Sequence, residues 1–477
     1  MILLLSAAAT FMAFLDTTVV NVAFPALAAD FPGASVPDLT WVVTSYGVLL
    51  AALLTPAGRF ADLIGRREVF LASLALFTIA SLACALAPNV PFLIAVRAVQ
   101  GIGAAGMIPA GLGLVLAETP PEKRAAAIGL WGAAGSLAAA AGPSLGGLLV
   151  SEIDWRAVFW LNVPIGLAVL AAGARRLPHR PATGRKLPDL PGTACVTVGI
   201  GAVVVGLTKG EDWGWMSGAT WGCIAGGGAL IGVALLRSRR HEAPVIETQL
   251  WHTRMFAMAN LTSFCIGAAL FVWFLSGPLY LTTIWHYSIL EAGLAVTPGA
   301  VASAVAAVVV GRRVPPQKQR PIVVVGLIIF FALNVWVFNV LGSEPDFLAV
   351  WLPYGTIGGA VLGAALTSVT TAASISVHPL KFASGTGMNT TARQFGGALG
   401  IAAMAAVFAA GNLALPQAYL DAFLLAGVFA LAGALPALLL FDRKGMAAVA
   451  ETQRQVQEQM AAMAASQRPS RAEEAGR

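Results

Sequence analysis

Apolar residues run along this chain in long blocks separated by short polar connections. Fourteen blocks are legible: residues 2–27, 39–58, 68–87, 91–116, 124–150, 156–174, 190–208, 218–236, 255–283, 290–310, 321–341, 346–376, 382–410 and 418–441. Each is about 20 residues or longer, enough for an α-helix to cross ~30 Å of hydrocarbon. The expected fold is an all-α polytopic membrane protein with about fourteen transmembrane spans. The blocks 190–208 and 218–236 are Gly-rich and carry the weakest signal; without them the count is twelve. The first block begins Met-Ile-Leu-Leu-Leu with no basic flank and outruns a signal-peptide core, so it reads as span 1. The missing flank suggests a longer native N-terminus.

Composition agrees with the pattern. Of 477 residues, 58% are hydrophobic and 11% charged, whereas soluble domains carry roughly 25% charged residues. So few charges would not cover a water-soluble body of this size. The 51 glycines suit helices that pack closely in lipid, where small residues let backbones approach. The four cysteines, Cys84, Cys195, Cys223 and Cys265, all fall in apolar blocks without metal-ligand spacing and read as small buried hydrophobes.

The basic residues fix an orientation. With alternate connections assigned inside and outside, the inner loops and the C-terminal tail hold 25 of the 29 Lys and Arg residues. The outer loops hold Arg156 and Lys209, and Arg97 and Arg393 lie within spans. The positive-inside rule then places both termini in the cytoplasm. The net charge of +6 faces anionic lipid, which removes nucleic acid as a partner.

A faint repeat organises the blocks. GRFADLIGRR (58–67) after span 2 is echoed by GRRVPPQKQR (311–320) after span 10, and spans 5 and 13 are both Gly-rich. The expected division is an N-terminal six-span half (1–176), a linker with two extra spans (177–254), a C-terminal six-span half (255–441) and a cytoplasmic tail (442–477). Paired halves place a substrate site at their interface.

One acid stands near mid-span: Asp16. A carboxylate there costs at least ~2.5–3.5 kcal/mol, and burial favours its protonated form, which suits a proton carrier. The structural alternative is a carboxylate paired permanently with Arg97 or held by Thr17, Thr18 and Asn21. Arg97 precedes Gln100, Gly101 and Gly103; Arg393 precedes Gln394, Gly396 and Gly397. Either Arg suits a role in coupling or gating, or in snorkelling and carbonyl bonding. Gly142-Pro143 with Gly146-Gly147 predicts a kinked, closely packed span, gating or merely bent. Asp62, at the inner end of span 2, is placed to accept from the first N–H groups of another span, a cytoplasmic latch. No catalytic arrangement is present: the five histidines lack metal spacing and there is no phosphate-binding Gly-Lys-Ser/Thr loop. No cofactor is expected, so the energy source is an ion gradient.

These motifs resemble a known family. LDTTVVNVAFP (15–25) looks like the span-1 signature of drug/proton antiporters of the major facilitator superfamily. WVVTSYGVLLAALLTPAGRFADLIGRR (41–67), RAVQGIGAAGMIP (97–109) and GPSLGG (142–147) resemble that family's second span and loop motif, its span-4 motif and its antiporter motif. ASGTGMNTTARQFGGALGIA (383–402) is similar to a segment of the fourteen-span EmrB/QacA type. The resemblance implies alternating access and export of small lipophilic compounds in exchange for protons. A metabolite, siderophore or lipid transporter on the same fold is the alternative, and a membrane-embedded enzyme is disfavoured for want of clustered mid-span His, Asp or Glu. By position, Asp16 and Arg97 match the proton-coupling residues, and Gly58, Arg59, Asp62, Gly65 and Arg66 match the loop motif. Asn21, Gln100, Phe271, Trp273 and Phe274 are the expected cavity residues. Glu68 and Ala138 depart from the motifs, and the C-terminal half has no mid-span carboxylate. Neutral or monovalent substrates are therefore expected over divalent cations. The sequence specifies neither a periplasmic adaptor nor a homo-oligomer.

Overall fold

A computed structural model describes residues 1–34, 36–179, 189–411 and 415–441, with a few positions between 446 and 454. The predicted tail, and Arg180, Arg185 and Lys186, thus lie largely outside the described residues. Among the described residues every regular element is helical. In chain order these are α1 (Ile2–Val22), α2 (Phe24–Asp30), α3 (Val36–Ile64), α4 (Arg66–Ala85), α5 (Val90–Glu118) and α6 (Arg124–Glu152). Then follow α7 (Ala157–Trp160), α8 (Asn162–Arg176), α9 (Leu190–Trp213), α10 (Gly218–Ser238) and α11 (Arg254–Thr283). The last five are α12 (Ile289–Arg313), α13 (Arg320–Val340), α14 (Leu352–Ile375), α15 (Phe382–Ala410) and α16 (Pro416–Ala437).

Among the described residues, twelve segments are long and apolar enough to cross a membrane, the Gly-rich α9 and α10 among them. Two further helices, α6 and α15, are 29 residues each and pack among the twelve. Lipid contact explains why Ile79, Leu148, Leu167, Val198, Val305 and Leu435 stand exposed, an arrangement water would oppose.

Helix ends follow local chemistry. The Asn89 side chain accepts from the Phe92 N–H at the start of α5. Ser288 and Glu291 form a reciprocal capping box on α12, which satisfies two of the donors a helix start leaves open. Gly65, at φ 134°, makes the turn between α3 and α4 in a region closed to most side chains. The first predicted span, 2–27, is in fact broken at Ala23 into α1 and α2. Pro25, in the first turn of α2, has no N–H to give the carbonyl four residues back, so the ladder of α1 is not carried on into α2.

Close packing rests on glycines. A Cβ on Gly359 would overlap the Gly299 carbonyl oxygen, and one on Gly363 that of Ser303, so α12 and α14 are nearly in backbone contact. Gly396 stands the same way against Phe264 on α11. Helices α1, α3, α4, α5, α6 and α8 pack on one another, as do α11 to α16. The two groups meet where α6 crosses α12 and α3 crosses α15. The extra pair, α9 and α10, packs on itself, and α9 also rests on α3 and α15. Asp189 anchors that pair: it accepts from Arg237 Nε at 2.7 Å and from the Gly192 N–H at 3.0 Å. Burial pushes its carboxyl up, but these donors outweigh it and hold the group below the usual carboxylate value.

Candidate functional site

Two features lie along the seam between the two helix groups, a cavity and a latch, and a buried ion pair lies behind the cavity within the first group. The ion pair joins α1 to α5. Arg97 donates through Nη1 to Asp16 Oδ2, and both side chains are at most 1% exposed. Gln100 Nε2 and Asn162 Nδ2 donate to Asp16 Oδ1 at 3.0 and 3.1 Å. Arg97 also donates to Gln100 Oε1 at 2.7 Å and to the Val42 carbonyl at 3.1 Å. Its guanidinium lies 4.4 Å from the Tyr46 ring centroid, within cation–π range. The Tyr46 hydroxyl in turn donates to the Ala13 carbonyl on α1 at 3.0 Å. The carboxylate therefore has three donors and a neutralising charge. Protonating it would leave Arg97 buried without a counter-charge, which is strongly unfavourable.

The cavity holds about 980 Å³ of empty space, its open mouth included. Thr10, Phe14, Thr17 and Thr18 of α1 line it, facing Trp131 of α6, Phe271 and Phe274 of α11, Thr367 of α14 and Arg393 of α15. Walls from both helix groups make it an interface site. Asp16 is not among its lining residues, because it occupies the other face of α1.

The latch joins α3 to the start of α15. Asp62 Oδ2 accepts from the Ser384 N–H at 2.7 Å and its hydroxyl at 2.6 Å, and Oδ1 accepts from the Ala383 N–H at 3.3 Å. An anion at a helix N-terminus meets the positive end of the helix dipole. Arg66 pairs with Asp62 at 2.8 Å and also donates to the carbonyls of Gly113 and Pro379. Gly58 lies beneath Ala383, where a Cβ would overlap the carbonyl oxygen. Alongside, Arg59 pairs with Glu247 at 2.7 Å, and Lys381 reaches the other Glu247 oxygen at 2.7 Å. One acid from the segment after α10 thus ties both helix groups.

The expected residues distribute as follows. Phe271 and Phe274 line the cavity, but Trp273 does not: it turns into the core of the α11–α16 group, edge-on to Phe330 and Tyr354. On a helix, positions 271 and 274 share a face that 273 leaves. Gln100, expected in the cavity, belongs instead to the Asp16 network, three residues along α5 from Arg97. Gly142 and Gly146 abut Thr18 and Val19 of α1, and Gly147 nears Ile289 of α12. The side chains of Asn21 and Pro143 lie outside the described residues. Asn162 and Glu247 were not anticipated. Asn162 was detectable as a polar residue inside an apolar block; Glu247 looked like any loop acid.

Comparison with known proteins places the chain. The model of the Major Facilitator Superfamily matches residues 6–401. A "Cephamycin export protein CmcT" from Amycolatopsis lactamdurans is 35% identical over 449 residues, covering 90% of each chain. A "Methylenomycin A resistance protein" from Streptomyces coelicolor is 34% identical, covering 83% of each, and a "Probable multidrug resistance protein EmrY" from Escherichia coli is 31% identical, covering 82% of this chain and 77% of that one. The solved structure of the human organic anion transporter MFSD10 superposes with a TM-score of 0.63 at 15% identity, covering 90% of this chain and 98% of that one, a likeness of fold. This chain belongs to the major facilitator superfamily, a multi-span membrane transporter family.

Proposed function

We propose that this protein is a proton-coupled antiporter of the EmrB/QacA type. It exports small lipophilic compounds, antibiotics among them, from the cytoplasm by alternating access, and is not an enzyme. The relatives named for cephamycin export and methylenomycin A resistance support the cargo class. In this reading the chain crosses the bacterial cell membrane fourteen times with both termini inside. Residues 1–176 and 255–441 form the two six-span halves, 177–254 carry the extra pair, and 442–477 are a cytoplasmic tail. The Asp62 latch then closes the cytoplasmic end.

One observation carries the mechanism: the Asp16–Arg97 pair sits directly behind the cavity wall, on the same helix as Thr17 and Thr18. A proton reaching Asp16 frees it from Arg97, α1 shifts against α5, and the cavity face of α1 moves with it. Release of the proton on the other side restores the pair. Gly142 and Gly146 give α1 a smooth track along α6. The energy source is the proton gradient, and no cofactor is required.

The test is export of a lipophilic dye from proteoliposomes under an imposed pH gradient. Wild-type protein is expected to couple dye and proton fluxes, and Asp16→Asn to reduce export to the rate of empty vesicles. Coupled export at the wild-type rate by Asp16→Asn removes Asp16 from the mechanism.

A further inference from the structure

Arg393 lies eleven residues into α15 and is 6% exposed, yet it lines the cavity. The other mid-span cation, Arg97, has Asp16; Arg393 has no carboxylate and no hydrogen-bond acceptor among the described residues. No Asp or Glu lines the cavity among those residues. Asp16 of α1 is outside the cavity lining and engaged by three donors.

The position is held firmly. A Cβ on Gly267 of α11 would overlap the Arg393 carbonyl oxygen, and Gly396 and Gly400 bring α15 equally close to α11. The backbone around Arg393 is therefore fixed, which fixes where its guanidinium can reach. A buried cation without a counter-charge is costly. A bound ligand can supply the missing charge. The guanidinium fork matches a carboxylate with two parallel hydrogen bonds, and the rest of the cavity is apolar and aromatic, with hydroxyls from Thr10, Thr18, Thr367 and Ser303.

We propose that Arg393 is the anion-binding residue of the cavity, and that the preferred cargo is an amphiphilic organic carboxylate whose apolar body stacks against Phe14, Trp131, Phe271 and Phe274. This rests on the exporter reading above and narrows it from lipophilic compounds in general to monovalent anions. The apolar walls disfavour inorganic phosphate, which has no body to bury.

Three probes with one aromatic body separate the possibilities: pyrenebutyrate, its methyl ester and pyrenebutylamine. Binding to the purified full chain is read by energy transfer from tryptophan, in wild type, Arg393→Gln and Arg393→Lys. Wild type should bind the carboxylate at least ~10-fold more tightly than the ester, as a charge-assisted pair implies. Arg393→Gln should abolish that preference while leaving ester binding within about 3-fold, and Arg393→Lys should restore part of it. Equal weakening of all three probes in Arg393→Gln makes Arg393 merely structural and overturns the proposal, as does a wild-type preference for the amine. The same probes in proteoliposomes separate the two readings. If the ester or amine is exported and the carboxylate is not, the anion inference fails and the exporter reading stands. A carboxylate preference in binding with no probe moved by a pH gradient leaves the anion site and defeats the exporter reading.

Discussion

Replacing Asp62 by Asn should open the latch. The wild-type carboxylate accepts from the Ser384 N–H, the Ser384 hydroxyl and Arg66, and its side chain is 1% exposed. An amide presents an oxygen to only one of these sets. If the oxygen faces Ser384, the new NH2 points at the Arg66 guanidinium, donor against donor; if it faces Arg66, it opposes the Ser384 N–H. Hydrogen bonds to charged groups contribute about 1.5–3 kcal/mol each, and an anion at a helix start adds about 0.3–1 kcal/mol. Since Asn keeps part of the set, a net loss of about 3 kcal/mol is expected. A latch favoured a hundredfold is held by ~2.7 kcal/mol, so the substitution brings latched and unlatched forms near parity. Spin labels at Glu122 and Gln317, two exposed loop positions on opposite helix groups, report the separation in a background without the four native cysteines. Wild type should give one short distance, and Asp62→Asn a second, longer one of comparable weight. An unchanged distribution in the variant refutes the latch.

Three further outcomes are expected. Glu247→Gln removes the shared counter-charge of Arg59 and Lys381; the same label pair should broaden, and thermal unfolding should reveal a loss of about 1–3 kcal/mol. Gly396→Ala places a methyl against the Phe264 carbonyl; forcing α11 and α15 apart should cost about 1–3 kcal/mol, read as a lower melting temperature, and an unchanged melting temperature would show that the two helices yield freely. Burial, and then the Lys381 ammonium, hold the His378 imidazole below its usual 6.5. The unfolded chain therefore binds that proton first, so this contribution to stability is complete above pH 6.5 and falls as pH drops through that value towards the lower folded one. Protonation also removes the Nδ1 acceptor of the Leu380 N–H. Melting temperature between pH 7.5 and 5.5 should fall less steeply in His378→Gln than in wild type.

The helices were legible because the membrane imposes one simple requirement, a long apolar run. Even the Gly-rich segments 190–208 and 218–236 match α9 and α10 within a few residues. The interruption at Ala23 was missed because hydropathy does not register the donor that Pro25 lacks. Asp16, Arg97 and Asp62 were found because charge within or beside an apolar block is costly and therefore conspicuous. The directions of side chains were less legible. Trp273 and Gln100 lie on apolar helices whose neighbours are on every side, so no polar face betrays which side meets the cavity. Glu247 depends on an approach of residues 59 and 381 that only the fold brings about.

Helix α1 is where the separate features meet. Positions 10, 14 and 17 fall on one helical face at spacings of four and three, and they line the cavity. Ala13 and Asp16 fall on another, and both are tied to the adjoining helices through Tyr46, Arg97, Gln100 and Asn162. In the proposed mechanism cargo and proton therefore address one rigid element from different sides, without touching each other. A carboxylate at Arg393 adds negative charge to the cavity face while a proton removes it from the other. Direct electrostatics between the two sites favours proton and anion binding together, so exchange in the proposed mechanism rests on the movement of α1, which carries both the cavity face and the Asp16–Arg97 pair. It also requires the two sites to remain separated by the helix, so that charge in one is weakly felt in the other, as Asp16 is separated from the cavity here.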